Sequence, residues 1–61
     1  MTGKELLKLL KQNGWELNRI SGSHHVMKKG QKLVSVPIHS TKELGSGLLH
    51  KLLKDADIKL G

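Results

Sequence analysis

The sequence predicts an α+β fold with the element order α-β-β-β-α, in which two helices cover one face of a three-stranded antiparallel sheet. Leucines recur at helical spacing near both ends of the chain. Between them, a central stretch is divided by glycine-containing turns into three short β-prone runs. Because tight connections favour pairing of successive strands, we expect an antiparallel meander whose second face is open to solvent or to a partner.

The first helix is predicted for residues 2–12. Its apolar stripe consists of Leu6, Leu7, Leu9 and Leu10. Thr2 precedes Glu5 by three residues, which is the capping-box pattern of a helix start. Gly14 follows the last helical residues and suits the left-handed backbone of a helix C-terminus.

The three predicted strands lie between Trp15 and Pro37. The first run alternates between two sets of side chains, Trp15, Leu17 and Arg19 against Glu16, Asn18 and Ile20. A Ser-Gly-Ser turn at 21–23 and a Lys-Lys-Gly-Gln loop at 28–31 separate the runs. The third run covers 32–36, and Pro37 is expected to stop it.

A second helix is predicted for residues 46–56, after a polar connection at 39–42. Its apolar positions are Leu48, Leu49, Leu52, Leu53 and Ala56. Ser46 stands just before this stripe and is predicted to be the N-cap, because its hydroxyl can accept a hydrogen bond from the first helical turn.

Size and charge restrict the function. The chain has 61 residues, no cysteine and a formal net charge of +6, so we expect one domain, residues 1–61, with neither a disulfide framework nor a thiolate metal site. The longest apolar runs are pairs, which predicts no membrane span, no signal-peptide core and a cytoplasmic protein. A small basic domain favours a polyanion such as nucleic acid as partner, although solubility alone also explains such charge.

Four histidines are the candidate chemical groups, namely His24, His25, His39 and His50. Imidazole exchanges protons near neutral pH, as general acid–base catalysis requires. Neighbours in a strand point to opposite faces, so we expect either His24 or His25 to face the helices or the sheet edge and the other to face solvent. His39 follows the third strand, and three roles are open for it: a second proton-transfer group, a phosphate contact or a loop residue. His50 is expected to be a surface residue.

No metal or cofactor is expected. The chain lacks cysteine, carries no histidine pair at helical ligand spacing, and disperses its five acidic residues. The remaining chemistry is metal-free RNA cleavage, in which the 2′-hydroxyl attacks the adjacent phosphate. Histidine would move protons and lysine would stabilise charge, and DNA would be excluded because it lacks the hydroxyl.

Two segments, Gly22-Ser23-His24-His25-Val26 and Val34-Ser35-Val36-Pro37-Ile38-His39, give the chain a family resemblance. It resembles the HicA toxins of prokaryotic toxin–antitoxin modules over nearly its whole length. The resemblance implies a fold like that of double-stranded RNA-binding domains. It also implies an mRNA interferase that needs no metal, and a HicB antitoxin that masks the active site.

The resemblance also implies site residues. The histidine of the Gly-Ser-His turn is catalytic in the family, which indicates His24, with His25 as a rival and His39 as a second group. Phosphates would be held by Arg19, Lys28, Lys29 and Lys32. Met27 stands where an aromatic residue is common in the family, and the hairpin loop is short, which bears on substrate preference.

Two other functions agree with the same residues. A non-catalytic RNA-binding module of the same fold would use the same basic surface and leave the histidines without a chemical role. It would bind RNA in a salt-sensitive manner without shortening it. A small interaction protein would instead dock an acidic partner and bind RNA weakly.

Overall fold

The computed structural model describes residues 1–39 and 42–59. Its elements are α1 (Gly3–Gln12), β1 (Glu16–Ser21), β2 (His24–Lys29), β3 (Lys32–Pro37) and α2 (Ser46–Asp55). The strands form one antiparallel sheet in the order β1-β2-β3, which confirms the predicted α+β fold. Residues 40 and 41, in the predicted polar connection, and residues 60 and 61 lie outside the described part of the chain.

The predicted capping box is present at the N-terminus of α1. Thr2 is the N-cap, so the helix itself begins one residue later than predicted. The Glu5 backbone N–H donates to Thr2 Oγ1 at 3.2 Å, and the Thr2 N–H donates to Glu5 Oε1 at 2.9 Å. The hydrogen bond from the Thr2 N–H lowers the pKa of the Glu5 carboxyl group, because it favours the ionised form. After the helix, Gly14 has a φ of 89°, the left-handed backbone predicted for it.

The start of α2 differs from the prediction. Gly45, not Ser46, is the N-cap, and no side chain caps the helix. The reason is that the Gly45 carbonyl already accepts the first helical hydrogen bond, from the Leu49 N–H at 2.8 Å. Ser46 is therefore the first helical residue, and the helix ends at Asp55 with Ala56 as its C-cap.

The ends of the strands agree closely with the turns predicted from the sequence. The turn between β1 and β2 is Gly22-Ser23, and the turn between β2 and β3 consists of Gly30-Gln31, which is shorter than the predicted loop at 28–31. Pro37, expected to stop the third strand, is its last residue.

A β-bulge in β1 breaks the simple alternation of its side chains. Leu17 pairs with Met27 and Arg19 pairs with Val26, so two steps along β1 match one step along β2. Paired residues share a face of the sheet, and Met27 and Val26 lie on opposite faces. Arg19 therefore lies on the opposite face from Leu17, whereas strict alternation puts the two side chains together.

The core lies between the helices and the sheet. Its buried side chains are Leu6, Leu10, Trp15, Met27, Val34, Val36, Leu52, Leu53 and Ala56. Both helices pack mainly on β3, so Leu17 and Ile20 on the helix side of β1 stay 46% and 57% exposed. Within the described residues, neither helix has the length and hydrophobicity to cross a membrane.

Candidate functional site

The surface of the sheet that faces away from the helices is here named the open face. It follows from the register, because paired residues share a face and the buried Met27, Val34 and Val36 mark the helix side. The open face consists of Glu16, Arg19, Ser21, His24, Val26, Lys28, Leu33, Ser35 and Pro37. It carries two cations, Arg19 and Lys28, against one carboxylate, Glu16, and its apolar members are Val26, Leu33 and Pro37.

His24 lies on the open face, at the first residue of β2. It is exposed and is paired with Ser21 on one side and Pro37 on the other. Its Nδ1 lies 3.4 Å from the Ser35 hydroxyl oxygen, a long contact whose donor depends on the tautomer. Because Nδ1 is engaged there, Nε2 is the ring nitrogen left to meet a ligand.

His25 occupies the other face. It is half-buried on the helix side, where it is paired with Ile20 and Val36. Its Nδ1 is buried and has no hydrogen-bond partner among the described residues. An imidazole in this position cannot reach a molecule bound on the open face, because the register places the two adjacent histidines on opposite faces of the sheet.

His39 and His50 lie elsewhere. The chain after β3 stays next to the turn before His24, because the Ile38 N–H donates to the Ser23 carbonyl at 2.7 Å. His39 comes next and is exposed, beside a depression of about 330 Å³ that Lys42 and Glu43 also border. His50 is exposed on α2, as predicted.

The four cations predicted to hold phosphate do not form one cluster. Arg19 and Lys28 lie on the open face with His24. Lys29 donates to the Asn13 carbonyl at 2.8 Å, at the end of α1. Lys32 lies 3.5 Å from an Asp57 carboxylate oxygen, on the helix side of β3. Only the first pair shares a surface with the exposed histidine.

A polar depression of about 440 Å³ separates the start of β1 from the tip of the β2–β3 hairpin. Lys28 and Lys29 border it together with the glycines at 14 and 30. Glu16, Leu17 and Asn18 complete its border, so a carboxylate and an amide lie there beside the lysine side chains.

Two features of this site have no signal in the sequence. Ser35 lies beside His24 only because of the cross-strand register. The charge of Arg19 makes it a candidate, but the bulge that turns it toward the open face has no signal in the alternation. In the described part of the chain, no three His, Cys, Asp or Glu residues form a group that could hold a metal ion.

Comparison with known proteins identifies a family for the chain. A search of curated proteins finds no match to the chain. A family model described as HicA toxin of bacterial toxin–antitoxin matches residues 3–58 of the 61, a range that includes both helices, all three strands and the Gly-Ser-His-His segment on the sheet. The chain therefore belongs to the HicA family and is a toxin of the toxin–antitoxin type, a role that implies an antitoxin as its partner.

Proposed function

We propose that this toxin is a metal-independent endoribonuclease that cleaves mRNA in the cytoplasm and uses His24 as its catalytic group. The observation that carries the proposal is the position of His24, exposed on the open face with Arg19 and Lys28. A proton-transfer group must reach its substrate, and cations on the same surface attract and orient a phosphodiester.

The proposed reaction needs only groups of this kind. A base removes the proton of the ribose 2′-hydroxyl, and the 2′-oxygen forms a bond to the adjacent phosphorus. The bond from phosphorus to the 5′-oxygen of the next nucleotide breaks, and an acid protonates that oxygen. The products are a 2′,3′-cyclic phosphate and a free 5′-hydroxyl.

The residues divide these tasks by position. His24 acts as the base or the acid through Nε2, while Ser35 near Nδ1 restricts the ring. Arg19 and Lys28 stabilise the negative charge that grows on the phosphate oxygens. His39, which follows the segment next to Ser23, is proposed as the second proton-transfer group.

RNA digestion in excess EDTA tests the activity. We expect the purified protein to shorten a single-stranded RNA and leave 2′,3′-cyclic phosphate ends, identified by mass spectrometry. The matched DNA oligonucleotide should stay intact, because it has no 2′-hydroxyl. RNA that is bound but never shortened would contradict the proposal and favour the non-catalytic RNA-binding module, and activity that EDTA abolishes would contradict metal independence.

We further propose that the antitoxin is HicB-like and covers His24 and the neighbouring hairpin with an acidic surface. The net charge of +6 supports this, because complementary charge accelerates association. Raising the salt concentration should lower the association rate constant by about tenfold or more, as screening removes steering.

A matched pair of variants locates the antitoxin surface. Lys28→Gln on the open face should slow association in stopped-flow measurements with the cognate antitoxin. Lys51→Gln, which removes the same charge from the exposed side of α2, should leave the rate nearly unchanged. Equal rates for the two variants would show that the antitoxin does not approach through the open face. A rate independent of salt would show that electrostatic steering does not drive the association.

A further inference from the structure

Helix α1 carries a row of cations that the proposed cleavage site does not use. The row consists of Lys4, Lys8 and Lys11, hereafter the α1 lysine row, and all three are exposed. At 100° per residue the three positions fall within an arc of about 60°. The buried Leu6 and Leu10 lie on the opposite side, so the row follows one outer flank of the helix.

The outer surface of a soluble helix usually mixes positive and negative charges, whereas this row contains positive charges alone. Lys8 follows Lys4 by four residues and precedes Lys11 by three, so each spacing places like charges next to each other. Lys4 also lies in the first turn, where the helix dipole disfavours a cation. Glu5, the acidic residue of α1, is hydrogen-bonded to the Thr2 N–H in the capping box.

The row lacks compensation elsewhere in the structure. Within residues 1–39 and 42–59, none of its three lysines forms a salt bridge. The large exposed hydrophobic side chains, Leu17, Ile20, Leu33 and Leu48, all lie on other elements. Lysine is under-represented in protein interfaces, whose centres are depleted of charge, so a flank of lysines alone fits a polyanion better than a protein.

Helix α1 also contacts a cation of the sheet at its C-terminal end. Lys29 extends from the end of β2 to the last turn of α1, where its Nζ donates to the Asn13 carbonyl. Its neighbour Lys28 lies on the open face, and both border the polar depression at the hairpin tip. Cations therefore lie on the outer flank of α1, at the end of that helix and on the surface that carries His24, and Glu16 is the acidic residue that borders the depression.

We propose that the α1 lysine row binds the phosphate backbone of the RNA substrate outside the cleavage site. This inference rests on the proposed function and adds a second contact region to it. From Lys4 to Lys11 the helix rises about 10 Å, enough to contact several successive phosphates. Contacts of this kind position a strand without reading its bases, so the row acts on affinity and not on sequence preference.

The test compares two triple variants with equal loss of charge. Lys4→Gln, Lys8→Gln and Lys11→Gln together remove the row, and glutamine preserves helix propensity. The control removes Lys51, Lys54 and Lys59 in the same way, from the exposed side of α2 and the segment after it. Circular dichroism and thermal unfolding of both proteins show whether the fold is retained.

The first measurement is binding to a 20-nucleotide RNA whose riboses are all 2′-O-methylated, which prevents cleavage. The row variant should weaken binding at low salt and reduce the slope of log K against log salt by about 2, near 0.7 for each lost phosphate contact. The control should change the slope by much less. Equal effects of the two triple variants, or no effect of the row variant, would overturn the inference.

A second measurement separates this inference from the proposed function. Cleavage of a ribodinucleotide, whose single phosphate is the one that is cleaved, leaves no phosphate for the row and should be equal in the wild type and the row variant, while cleavage of the 20-nucleotide RNA falls. A slower dinucleotide reaction would show that the variant damages the cleavage site and would overturn the inference. If the wild type binds the methylated RNA through the row but cleaves neither substrate, the ribonuclease proposal fails and the row assignment stands.

Discussion

Replacing His24 with alanine is expected to abolish RNA cleavage and growth arrest while leaving the fold intact. His24 is exposed at the edge of the open face and packs against little, so its removal does not open the core. A single general acid–base group contributes about 10²–10⁴-fold to a rate, and the variant should lose at least that factor. The measurement is the initial rate on a fluorescent RNA in EDTA, with thermal unfolding as the check on folding.

His25→Leu is the matched control for this variant. The His25 Nδ1 is buried and lacks a partner within the described residues, so leucine keeps the packing and removes a polar atom that gains nothing there. Cleavage by His25→Leu should stay near that of the wild type, and the unfolding temperature should not fall. A folded His25→Leu protein without activity, beside an active His24→Ala protein, would transfer the catalytic role to His25.

The largest loss of stability is expected from Gly3→Ala, which adds a single methyl group. Alanine normally strengthens a helix relative to glycine. At Gly3, however, an added Cβ would overlap the Pro37 carbonyl oxygen and lie 2.7 Å from Ile38 Cδ1. The obstacle includes backbone, so the end of β3 must shift, and overpacking of this kind costs about 1–3 kcal/mol.

That loss is large for so small a domain. At roughly 0.05–0.15 kcal/mol per residue, a chain of this length has a free energy of unfolding of about 3–9 kcal/mol. Urea or thermal unfolding of Gly3→Ala should therefore show a clearly lower midpoint. Because Pro37 is paired with His24, the same shift should also lower RNA cleavage below the level that reduced folding explains.

Gly47→Ala is expected to change the stability in the opposite direction. Gly47 is also near a helix start, but a Cβ there would meet no heavy atom within 4 Å among the described residues. Alanine should therefore stabilise α2 by about 0.5–1 kcal/mol through its higher helix propensity. If both alanine variants raise or both lower the unfolding midpoint, the close contact at Gly3 is not what distinguishes them.

Local patterns in the sequence predicted most of the fold. The leucine stripes predicted both helices, and the spacing of Thr2 and Glu5 predicted the capping box, because such signals depend on residues within one turn. Glycine-containing turns predicted the three strands and their order. The prediction of Ser46 as the N-cap of α2 was wrong. Gly45 and Ser46 are both acceptable N-caps, and the choice depends on which carbonyl accepts the first helical hydrogen bond.

The sequence by itself determined the order and type of the elements, the basic character of the chain and its resemblance to the HicA family. Only the tertiary structure decided which of the adjacent histidines, His24 or His25, faces outward, and that Arg19 shares its face. The physical reason is that side chains in a strand alternate with a period of two. A shift of one residue in register, or one bulge such as that in β1, moves a side chain to the other face of the sheet.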